Sequence, residues 1–246
     1  MLFAVDIGNS NITCALFSGS TLKKRFNIPT KSKNYSALFK KYLLKIDIKG
    51  VIISSVVPDV TPKVSLSLKK FKNVPVLICG KNISVPIKNL YHPPHKVGQD
   101  RLVNAFAACQ LYGYPVITVD VGTAITLDVV SKRKEYLGGM ILPGLEMSLQ
   151  ALAEKTALLP KVKLRLPRRI IGTSTQESII SGIVIGYTCL IDGLIKKIKK
   201  EIGNSKVVLT GGQSKFLSCL SEEAKIIDPN LTVKGLYCIA KYYQIP

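Results

Sequence analysis

The sequence predicts an α/β fold made by doubling one β-β-β-α unit, and three observations carry that expectation. Val5-Asp6-Ile7-Gly8 recurs as Val119-Asp120-Val121-Gly122. Each copy closes an apolar run, opens a turn and leads into a second apolar run, the pattern of strand, turn and strand. Stretches with helical spacing follow each set of strands. The economical reading is two similar domains, 1–114 and 115–246, facing each other across a cleft, with the last helix able to pack back on the first.

The elements follow in order. Leu2 to Ile7 is apolar, Gly8-Asn9-Ser10 is a turn cluster, and Ile12 to Phe17 is apolar again. Ser18-Gly19-Ser20 then leads into a third strand near Leu22 to Ile28. Leu38, Tyr42, Leu43 and Ile46 give Tyr35 to Ile46 a helical face, and Val51 to Ser55 is a short buried strand. Pro58-Asp59 starts a helix over Val60 to Phe71, and Pro75 to Cys79 is a strand. Pro86, Pro93 and Pro94 make 80–98 an irregular loop, after which Asp100 to Leu111 is helical and stops at Gly113. The second half repeats the opening with strands at Val116 to Val121, Ile125 to Val130 and Tyr136 to Leu142. Helices are expected at Gly144 to Lys155, Thr175 to Ile202, Ser214 to Leu220 and Leu231 to Tyr243, with a strand at Val207 to Thr210 entering Gly211-Gly212.

Composition sets the outer limits. With 47% hydrophobic and 20% charged residues over 246 positions, the chain can bury a core, and global disorder is excluded. The weakly polar run Ile179 to Ile191 ends at Asp192, short of the roughly 20 residues a bilayer needs. No membrane span is expected. The N-terminus reaches Asp6 without a basic segment, so a cytoplasmic protein with no signal peptide is expected. Cys14, Cys79, Cys109, Cys189, Cys219 and Cys238 form no close pair, which points to reduced thiols rather than zinc or disulfides.

The net charge of +20 gathers at Lys23-Lys24-Arg25, Lys161 to Arg169 and Lys196 to Lys200, while 101–150 is neutral. Such a surface attracts anions, from nucleotides to nucleic acid. Aromatics are only 7%, Trp is absent, and no stacking residues interleave with the clusters, so a solvated basic surface is the better reading than a nucleic-acid interface.

An Asp at the end of a strand can hold a metal ion or its water, and the following Gly lets backbone approach an anion. Asn9, Ser10, Asn11, Thr13, Thr123 and Thr126 add phosphate-bonding groups nearby. One such turn is commonplace at a hairpin; two at equivalent positions favour a phosphate site. Leu209-Thr210-Gly211-Gly212-Gln213 is a third turn that admits a flat ring or a phosphate. Together these turns resemble the nucleotide site of the actin-like, sugar-kinase ATPase superfamily, which implies ribonuclease-H-like domains with mixed sheets. Asp100 and Arg101 open a helix, where the dipole favours a carboxylate. His92 and His95 have metal-ligand spacing, but Pro93 and Pro94 oppose the helix that would aim both at one ion.

The ordered set of Asp6-Ile7-Gly8-Asn9-Ser10, Tyr91 with Gly98-Gln99-Asp100-Arg101, Asp120 with Gly122-Thr123-Ala124 and Thr126, Gly138-Gly139, Pro143-Gly144, and Thr175 with Glu177-Ser178 and Ser181-Gly182 resembles the type III pantothenate kinases. The resemblance runs from residue 5 to about 213. It implies transfer of the ATP γ-phosphoryl group to pantothenate, the first step of coenzyme A synthesis. It also implies that Asp6, Ile7, Gly8, Asn9, Ser10, Asn11, Ile12 and Thr13 form the first phosphate loop, with Asp6 near magnesium, and that Thr123 lies in the second. Asp120 would help hold a monovalent cation, potassium or ammonium; Asp100 would be the general base. Tyr91, Gly98, Gln99, Asp100, Arg101 and Thr175 would bind pantothenate, Arg101 through its carboxylate. Pro93 and Ser174 stand where the family commonly has Asn, and neither change removes a group assigned to the chemistry.

The resemblance further implies a homodimer. The helix from Thr175 to Ile191 is a candidate interface, because Ile179, Ile180, Ile183, Val184, Ile185 and Leu190 are too many for one face. The alternative for that helix is burial inside the monomer. Two other functions are weighed: a nucleic-acid-associated regulator on the same scaffold, and another small-molecule or sugar kinase. The joint presence of Asp6, Asp100, Arg101, Asp120 and Thr123 opposes the first, and the Tyr91 to Arg101 stretch opposes the second.

Overall fold

In the computed structural model, which describes residues 1–245, the chain divides into two compact units. Pro246, the end of the expected second domain, lies outside the described residues. One unit comprises Met1–Lys88, His92–Gln110 and the C-terminal segment from Leu231; the other comprises Asn89–Tyr91 and Leu111–Asn230.

The first unit starts with β1 (Leu2–Ile7), β2 (Asn11–Ser18) and β3 (Thr21–Pro29), an antiparallel meander. α1 (Tyr35–Leu43) follows, its Asn34 cap accepting the Ala37 N–H at 3.0 Å and its Tyr35, Phe39 and Leu43 buried on one stripe. β4 (Gly50–Ser55), α2 (Thr61–Lys72) and β5 (Val76–Ile78) complete a sheet of order β3-β2-β1-β4-β5, with β1, β4 and β5 parallel. Phe3, Val5 and Ile7 alternate along β1 into a core with Cys14, Phe39, Ile53 and Leu68. The opposite face is covered by the C-terminal helix of the chain. Its Tyr237 stacks on Phe17 with ring centroids 4.9 Å apart, and its Gly235 lies against Val103, where a Cβ would come within 2.8 Å of the carbonyl oxygen.

Residues 80–98, expected as one irregular loop, contain two short ordered pieces. β6 (Lys88–Asn89) is too brief to show any period in sequence, and a single 3-10 turn covers Pro94–Lys96. α3 (Gln99–Tyr112) begins one residue before the expected start.

The second unit repeats the first strand for strand. β7 (Val116–Val121), β8 (Ala124–Val130) and β9 (Glu135–Pro143) form the meander, α4 (Leu145–Lys155) and α5 (Thr175–Ile202) follow, and β10 (Lys206–Thr210) pairs in parallel with β7. After α6 (Ser214–Ser218), a two-residue strand that the sequence did not announce, β11 (Ile226–Ile227), adds to β10, and α7 (Leu231–Tyr242) ends the fold in the first unit. The sheet order β11-β10-β7-β8-β9-β6 contains the same five-strand arrangement as the first sheet, with β6 added beside β9. Even the irregularity repeats: the outer hairpin of each sheet slips register once, at Leu16/Phe17 and at Val129/Val130. The fold is therefore a duplicated ribonuclease-H-like α/β architecture with two mixed sheets.

α5 keeps its expected bounds and runs on past the apolar stretch that ends at Asp192. The buried Asp192 carboxylate accepts Ser221 Oγ–H at 2.6 Å and the Glu222 N–H at 2.8 Å. Among the described residues this 28-residue helix alone has the length and composition to cross a membrane, yet Ile191, Ile195 and Ile198 lie in the core of the second unit. It packs as a core helix.

Burial separates the thiols, with Cys238 half-buried between two groups. Cys14, Cys79 and Cys109 are buried, while Cys189 and Cys219 are exposed. Loss of solvation, with the Asp6 charge adding, pushes the Cys14 thiol far up and the Cys79 thiol up to about 12. Native protein treated with a thiol reagent at neutral pH should thus be labelled first at Cys189 and Cys219. Cys14, Cys79 and Cys109 should react only after denaturation, as counted by peptide mass spectrometry.

Candidate active site

The expected site residues lie near the ends of strands and helices or in the turns beside them. In the first unit, Asp6 is partly buried on β1, paired with Thr13 across the antiparallel hairpin and with Ser54 across the parallel neighbour. The turn beyond it is tied down on both sides. Gly8 N–H donates to the Asn11 carbonyl at 3.0 Å, Thr30 Oγ1–H donates to the Gly8 carbonyl at 2.6 Å, and Thr30 N–H reaches the Ser10 carbonyl at 3.2 Å. Asn9, Ser10 and Asn11 are exposed, so their polar groups can meet a ligand. Ile7 and Ile12 differ: both side chains are fully buried in the core, leaving only backbone for any contact with phosphate.

Also in the first unit, Val97 is buried and Gly98-Gln99-Asp100 leads into α3. Asp100 Oδ1 accepts the Arg101 N–H at 2.8 Å, which anchors the carboxylate in the positive end of the helix. A Cβ on Gly98 would lie 2.6 Å from that same oxygen, so the glycine makes room for the carboxylate. Arg101 is only 6% exposed, so a ligand carboxylate would have to meet it inside the fold. His92 and His95 are both exposed.

The second unit carries the other half of the residues. Asp120 on β7 is paired with Thr126 on β8 and with Thr210 on β10, the positions equivalent to Thr13 and Ser54 around Asp6. Gly122 N–H bonds the Ala124 carbonyl and Gly144 N–H bonds the Thr123 carbonyl, each at 3.1 Å, leaving the Thr123 side chain exposed. Gly211 has φ +91°, and a Cβ there would strike Asp120 Oδ1 and the Val121 backbone. The carboxylate and the Gly-rich turn therefore occupy one tight cradle. No group of three or more His, Cys, Asp or Glu converges among the described residues. A hard cation beside either Asp would take one carboxylate and fill its shell with phosphate and water oxygens, which suits magnesium. The residues fit such an ion.

Tyr91 is partly buried, its N–H donating to Asn89 Oδ1 at 2.9 Å and its ring lying against Gly138. Thr175 is exposed at the start of α5. There Ser174 Oγ accepts the Glu177 N–H at 3.3 Å, and Glu177 Oε2 receives both the N–H and the hydroxyl of Thr173 at 3.0 Å, a reciprocal cap. Sequence reasoning placed Ser174 as a departure from pattern; here it serves as the cap. Gly211 was read as a turn, and its close fit to Asp120 went unseen because nothing in the linear order joins residues 120 and 211.

Two outcomes follow from this geometry. Gly98→Ala should displace the Asp100 carboxylate and lower turnover about 10- to 100-fold at unchanged thermal stability, as measured by steady-state kinetics beside a melting curve. Glu177 is held below the usual carboxylate range, first by the two Thr173 hydrogen bonds and then by Arg169 and Arg165. A depressed carboxylate stabilises the fold above its ordinary pKa and loses that contribution as pH falls through the lowered value. The protection factors of amides in the first turn of α5, with exchange corrected for its intrinsic pH dependence, should fall as pH drops through that lowered value, and Glu177→Gln should remove the effect.

Comparison with known proteins identifies the family. The sequence profile of the family described as type III pantothenate kinase matches residues 2–197. A type III pantothenate kinase from Persephonella marina is 42% identical over 253 residues, covering 99% of each chain. Another from Finegoldia magna is 40% identical over 252 residues, covering 97% of this chain and 96% of that one. Among solved structures, a conserved Baf family protein from Campylobacter jejuni, whose description suggests transcriptional activation, is 22% identical with TM-score 0.61 over 98% of each chain. An activator of 2-hydroxyisocaproyl-CoA dehydratase from Clostridium difficile with bound ADPNP is 12% identical with TM-score 0.53, covering 99% of this chain and 96% of that one. At such identities these structures speak for the fold alone. The profile match and the two full-length relatives together settle descent: this chain belongs to the type III pantothenate kinase family.

Proposed function

We propose that the protein transfers the γ-phosphoryl group of ATP to the terminal hydroxyl of pantothenate, the entry to coenzyme A synthesis, in the cytoplasm. The observation that carries this reading is the Asp100 carboxylate. It stands at the head of α3 with one oxygen tethered to the Arg101 N–H, in a chain of this family. A carboxylate so held can accept the proton of an attacking hydroxyl, the one proton transfer this reaction needs. Asp6 to Thr13 supplies the first phosphate loop, through exposed Asn9, Ser10 and Asn11 and through the backbone at Ile7, Gly8 and Ile12. Thr123 supplies the second loop. Tyr91, Gly98, Gln99, Arg101 and Thr175 orient pantothenate, with Arg101 drawing in its carboxylate. Asp6 would hold magnesium and Asp120 a potassium or ammonium ion. Such cations neutralise charge on the phosphate oxygens when bound.

The residues 1–114 and 115–246 act as two domains of one enzyme in this reading. A homodimer completes it, through the exposed side of α5, where Gly182, Gly186 and Gly193 have open space and Leu190 is 44% exposed. Sedimentation of a monomer at micromolar concentration would remove the dimer.

Purified protein should phosphorylate pantothenate with ATP and magnesium, and faster with potassium present. Asp100→Asn keeps size and an acceptor oxygen but cannot take the proton, so turnover should fall about 10²- to 10⁴-fold with ATP binding little changed. Near-normal turnover in that variant, measured where chemistry limits the rate, would remove Asp100 as the base.

A further inference from the structure

Duplication provides an internal control for every residue of the second sheet. In the first sheet, Ala4 stands opposite Ala15, and Leu22 opposite Phe17. At the same register positions of the second sheet stand Thr118 opposite Asp128, and Tyr136 opposite Val130. Ala4 and Ala15 are 0% exposed; Thr118 and Asp128 are 1% exposed. The Ala4–Ala15 and Thr118–Asp128 positions are thus interior in both units, and the first unit fills them with alanine alone; Leu22, the counterpart of Tyr136, is partly exposed. A buried carboxylate is costly unless it is well hydrogen-bonded. The fold itself does not ask for one here.

Asp128 is nonetheless well held. It accepts the Tyr136 hydroxyl at 2.7 Å and the Thr126 hydroxyl at 3.1 Å. Tyr136 is fully buried and leads directly to Tyr91: its carbonyl accepts the Leu90 N–H at 2.9 Å, and its ring lies 6.5 Å from the Tyr91 ring at a 46° tilt. A Cβ at Gly138 would come 3.3 Å from Tyr91 Cδ2. Tyr91 therefore lies against β9 at Tyr136 and Gly138, and Tyr136 is fastened to β8 through Asp128. Thr126, the second donor to Asp128, is the cross-strand partner of Asp120. Strand pairing of Thr126 with Asp120, the hydrogen bonds to Asp128 and the Leu90–Tyr136 backbone bond thus link the Asp120-Val121-Gly122 turn to the segment that carries Tyr91.

We propose that Asp128 and Tyr136 are positioning residues that hold Tyr91 in the orientation needed to receive the acceptor substrate. This rests on the reading of Tyr91 as a pantothenate-binding residue. Neither side chain touches substrate in this account. Their effect is on where Tyr91 stands, and so on acceptor affinity rather than on the chemical step.

The test uses the full-length protein and three variants. Tyr136→Phe removes only the hydroxyl. Asp128→Ala combined with Tyr136→Leu restores the residues found in the first unit, an apolar set that packs there. Tyr112→Phe is the control, because it breaks a comparable hydrogen bond to Asp228, 2.8 Å long, at residues with no role in the site. Two readouts are taken: backbone amide exchange at Leu90 and Tyr91, and kinetics with pantothenate and ATP varied separately. In Tyr136→Phe and in the double variant, exchange at Leu90 and Tyr91 and the pantothenate KM should each rise about 10-fold, while kcat and the ATP KM move less than about 2-fold. The control should change neither. Unchanged exchange at those amides, or an unchanged pantothenate KM, in a folded Tyr136→Phe protein would overturn the proposal. If the wild-type protein failed to phosphorylate pantothenate, the functional reading would fall. The exchange readout would then still decide whether the pair fixes Tyr91.

Discussion

Along β1 and again along β7, every second side chain enters an apolar core while the residue between faces the other way. Phe3, Val5 and Ile7 point into one core, and Ile117, Val119 and Val121 into the other. Asp6 and Asp120 occupy the intervening positions. Because the side-chain period of a strand is two, a slip of one residue would bury each carboxylate in hydrocarbon and expel its neighbours. The same alternation that holds the sheets together thus fixes where the acidic groups stand. The turns, the Gly211 cradle and the Thr126–Asp128 contact all inherit their positions from that register.

Electrostatics acts locally here despite the large net charge. The cluster Lys23-Lys24-Arg25 is followed directly by Phe26, and the second ring that serves it, Tyr42, comes from α1. In the fold, Phe26 stacks on Tyr42 at 4.0 Å, and Lys24 Nζ lies 5.8 and 5.3 Å from the two ring centroids. Lys41 Nζ adds a contact 5.8 Å from Tyr42. Part of the positive charge is therefore engaged in cation–π packing on the surface of the first unit. The carboxylates, few in number, are placed with more constraint: Asp192 and Asp128 are buried and hydrogen-bonded, and Asp6 lies close enough to two thiols to raise both.

The repeated Val-Asp-x-Gly phrase made the duplication and both Asp-x-Gly turns visible in sequence, since a strand end followed by glycine is a local signal. The helix that carries Asp100 was visible for the same reason. What escaped depends on distance or brevity. β6 and β11 have two residues each, too few for any period to show. The partners of Asp192, Ser221 and Glu222, come from a later segment and share no local pattern with it. The Asp128–Tyr136 pair could have been found by laying one half of the sequence on the other. A carboxylate would then have appeared opposite Ala15, but only the register shows that both positions are interior.

The slipped residue pairs at Leu16/Phe17 and Val129/Val130 bear on the history of the chain. An extra residue in a hairpin bends the strand and changes the direction in which the next one leaves. Two hairpins acquiring it independently at the same place would be a coincidence; one ancestral hairpin copied with its flaw requires none. The irregularity then acts as a birthmark that predates the divergence of the halves. Residues that differ around it record later specialisation, in which one copy kept plain aliphatic filling while the other was free to take on polar groups.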